Sequence, residues 1–170
     1  MKKNLVLTGM MGVGKSTIGK LLSKNLKMQF IDIDSEIEKN ELMPIKNVFK
    51  KKGEKYFREI EKKITLKKIK EKNSIIALGG GSFEDLEVRE EILENCISFW
   101  LDLNLKETAL RLKNSKKRPL LTNTDALEKD ISEIYNKRKS TYNQAHFKIK
   151  CNNLNKDIIV KNITEIFYEI

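Results

Sequence analysis

Gly9-Met10-Met11-Gly12-Val13-Gly14-Lys15-Ser16 is the stretch on which the reading of this chain turns. It fits G-x-x-x-x-G-K-[ST]. It stands between a short apolar run, Asn4 to Thr8, and an amphipathic one, Lys15 to Leu26, with Ile18, Leu21, Leu22 and Leu26 at helical spacing. A strand, a glycine-rich turn and a helix in that order make a phosphate cradle. The glycines let backbone N–H groups turn inward, and the helix adds the positive end of its dipole. Lys15 can reach the β- and γ-phosphates, and Ser16 can offer its hydroxyl to Mg²⁺. The motif predicts a nucleoside triphosphate site. A GTPase is disfavoured, because neither Asn136-Lys137 nor Asn155-Lys156 has an Asp two places beyond the Lys.

Outward from the cradle the alternation repeats. Gln29–Asp32, Ser74–Leu78, Cys96–Leu101 and Phe147–Cys151 read as further strands. Helical patterns run from about Ser35 to Lys72 with breaks near Pro44 and Gly53, and from Glu84 to Asn95 with Leu86, Ile92 and Leu93 as candidate core residues. Others span Leu105–Leu112, Asp125–Lys139 and Lys156–Ile170. Apolar strands separated by helices predict an α/β fold, a three-layer α/β/α domain built on about five parallel strands and covering residues 1–170. There is no internal repeat and no linker rich in Pro, Gly or Ser.

Composition bounds the function. A chain of 170 residues, 39% hydrophobic and 34% charged, makes one soluble globular domain with a core that needs no staples. Its two cysteines, Cys96 and Cys151, sit in or beside apolar runs and read as reduced, buried thiols. No stretch approaches the roughly 18 apolar residues that span a bilayer. Met1-Lys2-Lys3-Asn4 lacks an apolar signal region, so the cytoplasm is the expected address. The net charge of +10 raises the question of polyanionic partners, yet aromatics make up only 7% of the chain and no nucleic-acid module is recognisable. Only five of the 34 basic residues are arginine: Arg58, Arg89, Arg111, Arg118 and Arg138. Because the guanidinium fork matches carboxylates and phosphates in a way an ammonium cannot, these positions are the ones to follow. Arg89 matches no motif and reads as surface charge.

Beside the cradle, the second strand runs into Asp32-Ile33-Asp34. Period-two alternation puts both carboxylates on one side of the sheet, at the strand end where open α/β sheets place their ligands. There they can hold Mg²⁺ through water and accept a proton from an attacking hydroxyl. A helix cap by Asp34 or Ser35 is the plainer alternative.

The later motifs resemble a known family. Asp32-x-Asp34-x-x-Ile37-Glu38 is followed by Ile45-x-x-Val48-Phe49-x-x-x-Gly53-Glu54-x-x-Phe57-Arg58-x-x-Glu61. Ala77-Leu78-Gly79-Gly80-Gly81, Arg118-Pro119-Leu120-Leu121, and Arg138 with Tyr142 four residues on come next. With the phosphate loop ahead of them, from about Leu5 to Cys151, they resemble the shikimate kinases. The resemblance implies a nucleoside-monophosphate-kinase type of fold with a substrate-binding region near residues 33–61 and a mobile lid near 112–124. It also implies a monomer that transfers the γ-phosphoryl of ATP to the 3-hydroxyl of shikimate with Mg²⁺, in the chorismate pathway to aromatic amino acids. Carried over by position, Gly12, Val13, Gly14, Lys15, Ser16 and Thr17 would hold the phosphates, and Ser16 and Asp32 the metal. Asp34, Arg58, Gly80 and Arg138 would bind shikimate, Arg118 would be the lid arginine on the ATP phosphates, and Arg111 would lie against adenine. Lys15, Asp34 and Arg118 would be the catalytic residues.

The chemistry of these residues suits that assignment. Arg58 and Arg138 can fork onto a carboxylate, an ionised Asp34 accepts from hydroxyls, and the glycine triplet lets backbone approach a ring closely. Glu61, one turn from Arg58, can pair with it or orient it. Between Arg111 and Arg118 the segment carries five basic residues and no acid, which suits a lid that closes on phosphates. Cys151-Asn152-Asn153 departs from the Asp-Thr turn the family often carries near adenine. Trp100 reads as core, and His146 as a surface or core residue. The runner-up is a gluconate or other small-polyol kinase on the same fold; a nucleic-acid-binding P-loop protein is the alternative of another class.

Overall fold

The computed structural model describes residues 3–113 and 127–170. Five strands, β1 (Asn4–Thr8), β2 (Gln29–Asp32), β3 (Ser74–Ala77), β4 (Cys96–Asp102) and β5 (Phe147–Lys150), lie in the order β2-β3-β1-β4-β5, and every pairing is parallel. Around them pack α1 (Lys15–Leu26), α2 (Ile33–Glu41), α3 (Ile45–Ile69), α4 (Leu86–Asn95), α5 (Leu105–Lys113), α6 (Leu127–Tyr142) and α7 (Lys156–Glu169). The five-stranded parallel α/β fold expected from the sequence is the one observed.

Alternation along the strands sorts the core into two layers. Val6, Ile31, Ile76 and Trp100 face one side and meet Ile37, Phe57, Ile64, Val88, Ile92, Leu112 and Ile131 from α2 to α6. Leu5, Leu7, Ile75, Phe99 and Leu101 face the other and meet Ile18 and Leu22 of α1 with Ile159, Val160, Ile163 and Phe167 of α7. A parallel sheet buried on both faces needs apolar residues at both parities, which is why its strands read as unbroken hydrophobic runs. Cys96 and Cys151 are buried and free, and burial pushes both thiols up to about 12, so neither is poised to react. No helix among the described residues is long and apolar enough to cross a membrane.

Three expectations need correction. Leu86 is 59% exposed and is no core residue. Asp85 caps α4 by accepting from the Val88 amide at 3.1 Å, which starts the helix later and turns Val88 and Ile92 inward. The helix placed at Asp125–Lys139 runs on to Tyr142, whose fully buried ring anchors its last turn; Asp125 itself lies outside the described residues. Arg89 is not plain surface charge: its guanidinium donates to the Phe83 and Glu84 carbonyls at 3.0 and 3.1 Å and ties down the 3-10 turn Ser82–Glu84.

The strand order places the site. Chain connections leave β1 toward β2 and β3 on one side and reach β4 and β5 on the other, so a crevice opens at the carboxyl end of β1. The Leu78 amide donates to the Leu7 carbonyl at 3.1 Å, zipping the tail of β3 to β1. This brings Gly79-Gly80-Gly81 beside the glycines that follow β1.

Candidate active site

Gly14 stands at the N-cap of α1 with φ 104°, a left-handed backbone that favours glycine, and no side chain caps the helix. The first amides of α1 therefore face the crevice without a protein side-chain acceptor at the cap, as an anion site requires. Lys15, only 8% exposed, donates its ammonium to the carbonyls of Gly9 and Met10 at 2.7 and 3.0 Å. The charge is thus held on the loop that would cradle phosphates.

Asp32 and Asp34 reach the site differently from the period-two reading. Strand β2 ends at Asp32, which is the N-cap of α2 and accepts from the Ser35 amide at 3.2 Å. Asp34 lies in the first turn of α2, so neither Asp34 nor Ser35 is the cap and the two carboxylates do not share a strand. The helix begins early because Asp32 can cap it. The pair still converges: a cavity of about 190 Å³ is lined by Asp32 and Asp34 with Gly12, Gly14, Lys15, Ser16, Thr17, Leu78 and Gly80. Ser16 donates its hydroxyl to the other oxygen of Asp32. Val13 is the exception among the loop residues, with its side chain in the core and its carbonyl taken by Arg111 at 3.1 Å.

A second cavity, of about 560 Å³, holds Arg58 and Arg138 together with Glu54, Glu61, Gly81 and Ser82. Arg58 pairs with Glu61 at 2.7 Å and Glu54 at 3.3 Å, and Glu61, nearly buried, also accepts from the Ser82 hydroxyl at 2.8 Å. Burial alone would lower the Arg58 pKa, but Glu61 and Glu54 more than offset it and hold the guanidinium above its ordinary value. Gly81 is what allows this placement, since a Cβ there would stand 2.6 Å from Arg58 Nη1. Arg138 donates to the Gly80 carbonyl at 3.0 Å and so faces the site rather than solvent. Its helix is moored to the carboxyl end of β4 by Tyr135, which donates to Asp102 at 3.1 Å, while Lys148 of β5 pairs with the same carboxylate at 3.0 Å.

Arg111 is 46% exposed at the side chain, bonded to the phosphate loop through Val13 and 3.8 Å from Glu107. After β5, Asn152 is already engaged, accepting from the Asn104 amide at 2.8 Å. Arg118 and most of the lid near 112–124 lie outside the described residues. His146 is an exposed residue whose Nδ1 meets the Ser98 hydroxyl at 2.8 Å, far from this chemistry. Sequence reasoning missed Ser82, which it had passed over beside the glycine triplet, and gave no role to Tyr142, which donates its hydroxyl to the Gly80 carbonyl.

Such an arrangement, a phosphate loop joined through glycines to a pocket with two arginines, can bring a triphosphate and a small anionic alcohol together. Comparison with known proteins agrees. Residues 11–168 match the family described as shikimate kinase. The shikimate kinase of Bacillus subtilis is 42% identical over 168 residues, covering 96% of this chain and 88% of its own. That of Persephonella marina is 43% identical over 147 residues, covering 86% and 88%. Among solved structures, shikimate kinase from Acinetobacter baumannii in complex with shikimate superposes with a TM-score of 0.94 at 28% identity, covering 98% of this chain and 93% of that one. A gluconokinase from Sinorhizobium meliloti reaches 0.62 at 13% identity, with 99% and 93% covered, a likeness of fold alone.

Proposed function

The chain belongs to the shikimate kinase family, and on that footing we propose that it transfers the γ-phosphoryl group of ATP to the 3-hydroxyl of shikimate, giving shikimate 3-phosphate and ADP. It is an ATP-dependent kinase. What supports the acceptor is the pairing of cavities: phosphate loop, Asp34 and Gly80 line one, and Arg58 and Arg138 line its neighbour. A molecule with a carboxylate at one end and hydroxyls at the other suits that spacing of cations and acceptor.

In this reading the α1 amides and Lys15 bind the phosphates, Arg58 and Arg138 fork onto the shikimate carboxylate, and Asp34 accepts the proton of the attacking hydroxyl. Gly80 lets the backbone approach the ring. Ser16 and Asp32 would hold Mg²⁺: a hydroxyl and a carboxylate are hard oxygen donors, and Mg²⁺ takes one or two carboxylates plus phosphate oxygens rather than a full protein cage. Among the described residues no group of three or more His, Cys, Asp or Glu forms such a cage. When bound, the ion neutralises charge building on the phosphate oxygens. Arg118 would serve as the lid arginine and Arg111 would lie against adenine, assignments that rest on sequence position. The whole chain acts as one domain, with residues 33–61 as the substrate-binding region, and works as a cytoplasmic monomer without nucleic-acid or membrane partners.

The test is ADP release with ATP and Mg²⁺ against a panel of shikimate, gluconate and nucleoside monophosphates. Stimulation by shikimate is expected; stimulation by another acceptor and not by shikimate overturns the proposal. Arg58→Lys keeps the charge and loses the fork. It should raise the KM for shikimate about 10- to 100-fold, the loss of about 1.5–3 kcal/mol of charge-assisted hydrogen bonding, with the KM for ATP within twofold. Steady-state kinetics with each substrate varied in turn checks it.

A further inference from the structure

Two side chains of α6 converge on one backbone oxygen. Arg138 Nη1 donates to the Gly80 carbonyl at 3.0 Å, and Tyr142, one turn further on, donates its hydroxyl to the same atom. Tyr142 is fully buried, with its ring 5.9 Å from that of Trp100. Its oxygen also lies 4.0 Å from Met10 Sδ, a weak acceptor beside a carbonyl. Burial pushes the phenol up to about 12 against the pull of Arg138, so the hydroxyl keeps its proton and remains a donor.

A carbonyl oxygen has two lone pairs, and these two donors fill both. The Gly80–Gly81 peptide unit is planar and trans, so fixing its C=O toward α6 fixes the Gly81 N–H to point away from α6. Neither flanking residue has a Cβ, and the chain itself offers little resistance to rotation of this unit. Rotation would matter, because Gly80 lines the phosphate-loop cavity while Gly81 lines the one with the arginines. We infer that Tyr142 is a positioning residue that, with Arg138, locks the Gly80–Gly81 peptide. The wall shared by the two cavities then keeps one shape, and Arg138 presents one fixed edge to the acceptor's carboxylate. The inference rests on the reading that shikimate binds there.

Tyr142→Phe tests it. The variant keeps the ring and leaves the Gly80 carbonyl bonded to Arg138, so folding is not at stake. The KM for shikimate should rise about tenfold with the KM for ATP within twofold. Ile163→Val, a core change in the opposite layer, should lower Tm comparably and leave both KM values unchanged. Combined with Arg138→Lys, the effect should fall short of the product of the single effects, since both side chains act through one atom. A rise below threefold, or equal rises for both substrates, overturns the lock. Amide hydrogen exchange at Gly81 without substrate separates this from the functional reading: it should quicken in Tyr142→Phe even if the wild-type protein proves inactive on shikimate, and unchanged exchange overturns the lock by itself.

Discussion

Replacing Lys15 with alanine is expected to lower kcat by about 10²–10³-fold with any acceptor, the usual loss for removing one preorganised donor from a developing negative charge. The side chain is buried and its ammonium sits on the carbonyls of Gly9 and Met10, so its orientation is set before a nucleotide arrives. A loose, metaphosphate-like transition state leaves little covalent work for the protein and makes such positioning the main source of rate. The variant takes one donor from each of the Gly9 and Met10 carbonyls, so some stability loss is expected beside the loss of rate. Single-turnover rates with saturating ATP and shikimate, alongside nucleotide affinity by calorimetry, separate the two effects. A kcat loss below tenfold would remove Lys15 from the chemistry. With Lys15 assigned to the donor phosphates, as proposed, the fold-loss should be the same for a poor acceptor as for shikimate.

Much of this arrangement is legible in the amino-acid sequence itself. The phosphate loop is local: strand, turn and helix lie within one contiguous stretch, and the physics that binds an anion is the physics of that helix's N-terminus. The strands were legible because both faces of the sheet are covered. The Asp32–Asp34 pair was found for a partly wrong reason. Period-two alternation presumes the strand continues, but Asp32 caps α2 and the backbone turns helical at Ile33. Both carboxylates reach the same cavity only because a helix's first turn stays close to the strand end it leaves. Leu86 misled for a similar reason, since a cap one residue earlier decided which side of α4 faces inward.

What sequence could not supply is the tertiary partner of each polar group. The four described arginines all donate to named acceptors: Arg58 to carboxylates, Arg89, Arg111 and Arg138 to backbone carbonyls. A carbonyl partner leaves no trace in the sequence, so Arg89 looked idle and Tyr142 had no role. The sum of +10 likewise concealed two populations. Lysines such as Lys50 and Lys51 are solvated, while the described arginines are structural or point into the crevice.

Asp34→Asn should lower kcat with shikimate by about 10²–10⁴-fold, the range that a positioned acid or base contributes. The substitution is nearly isosteric, and the amide oxygen still accepts a hydrogen bond from a substrate hydroxyl. What it cannot do is take the proton as the oxygen attacks phosphorus. Asp34 stands in the first turn of α2, where the helix dipole favours a negative charge, and it shares its cavity with Lys15 and Ser16 on the phosphate side. An ideal Cβ on Gly79 would lie 3.0 Å from Asp34 Oδ1, so the glycine triplet lets this carboxylate lie against the strand tail. The change falls on a group proposed for the acceptor rather than the nucleotide, and the affinity for ATP should stay within threefold. If Asp34 merely orients the hydroxyl, asparagine serves almost as well and kcat falls less than tenfold; if it carries the proton, the rate collapses while shikimate binding survives. Measuring kcat and shikimate affinity on the same preparation decides between them, and a parallel loss of both would mean that the carboxylate binds rather than catalyses.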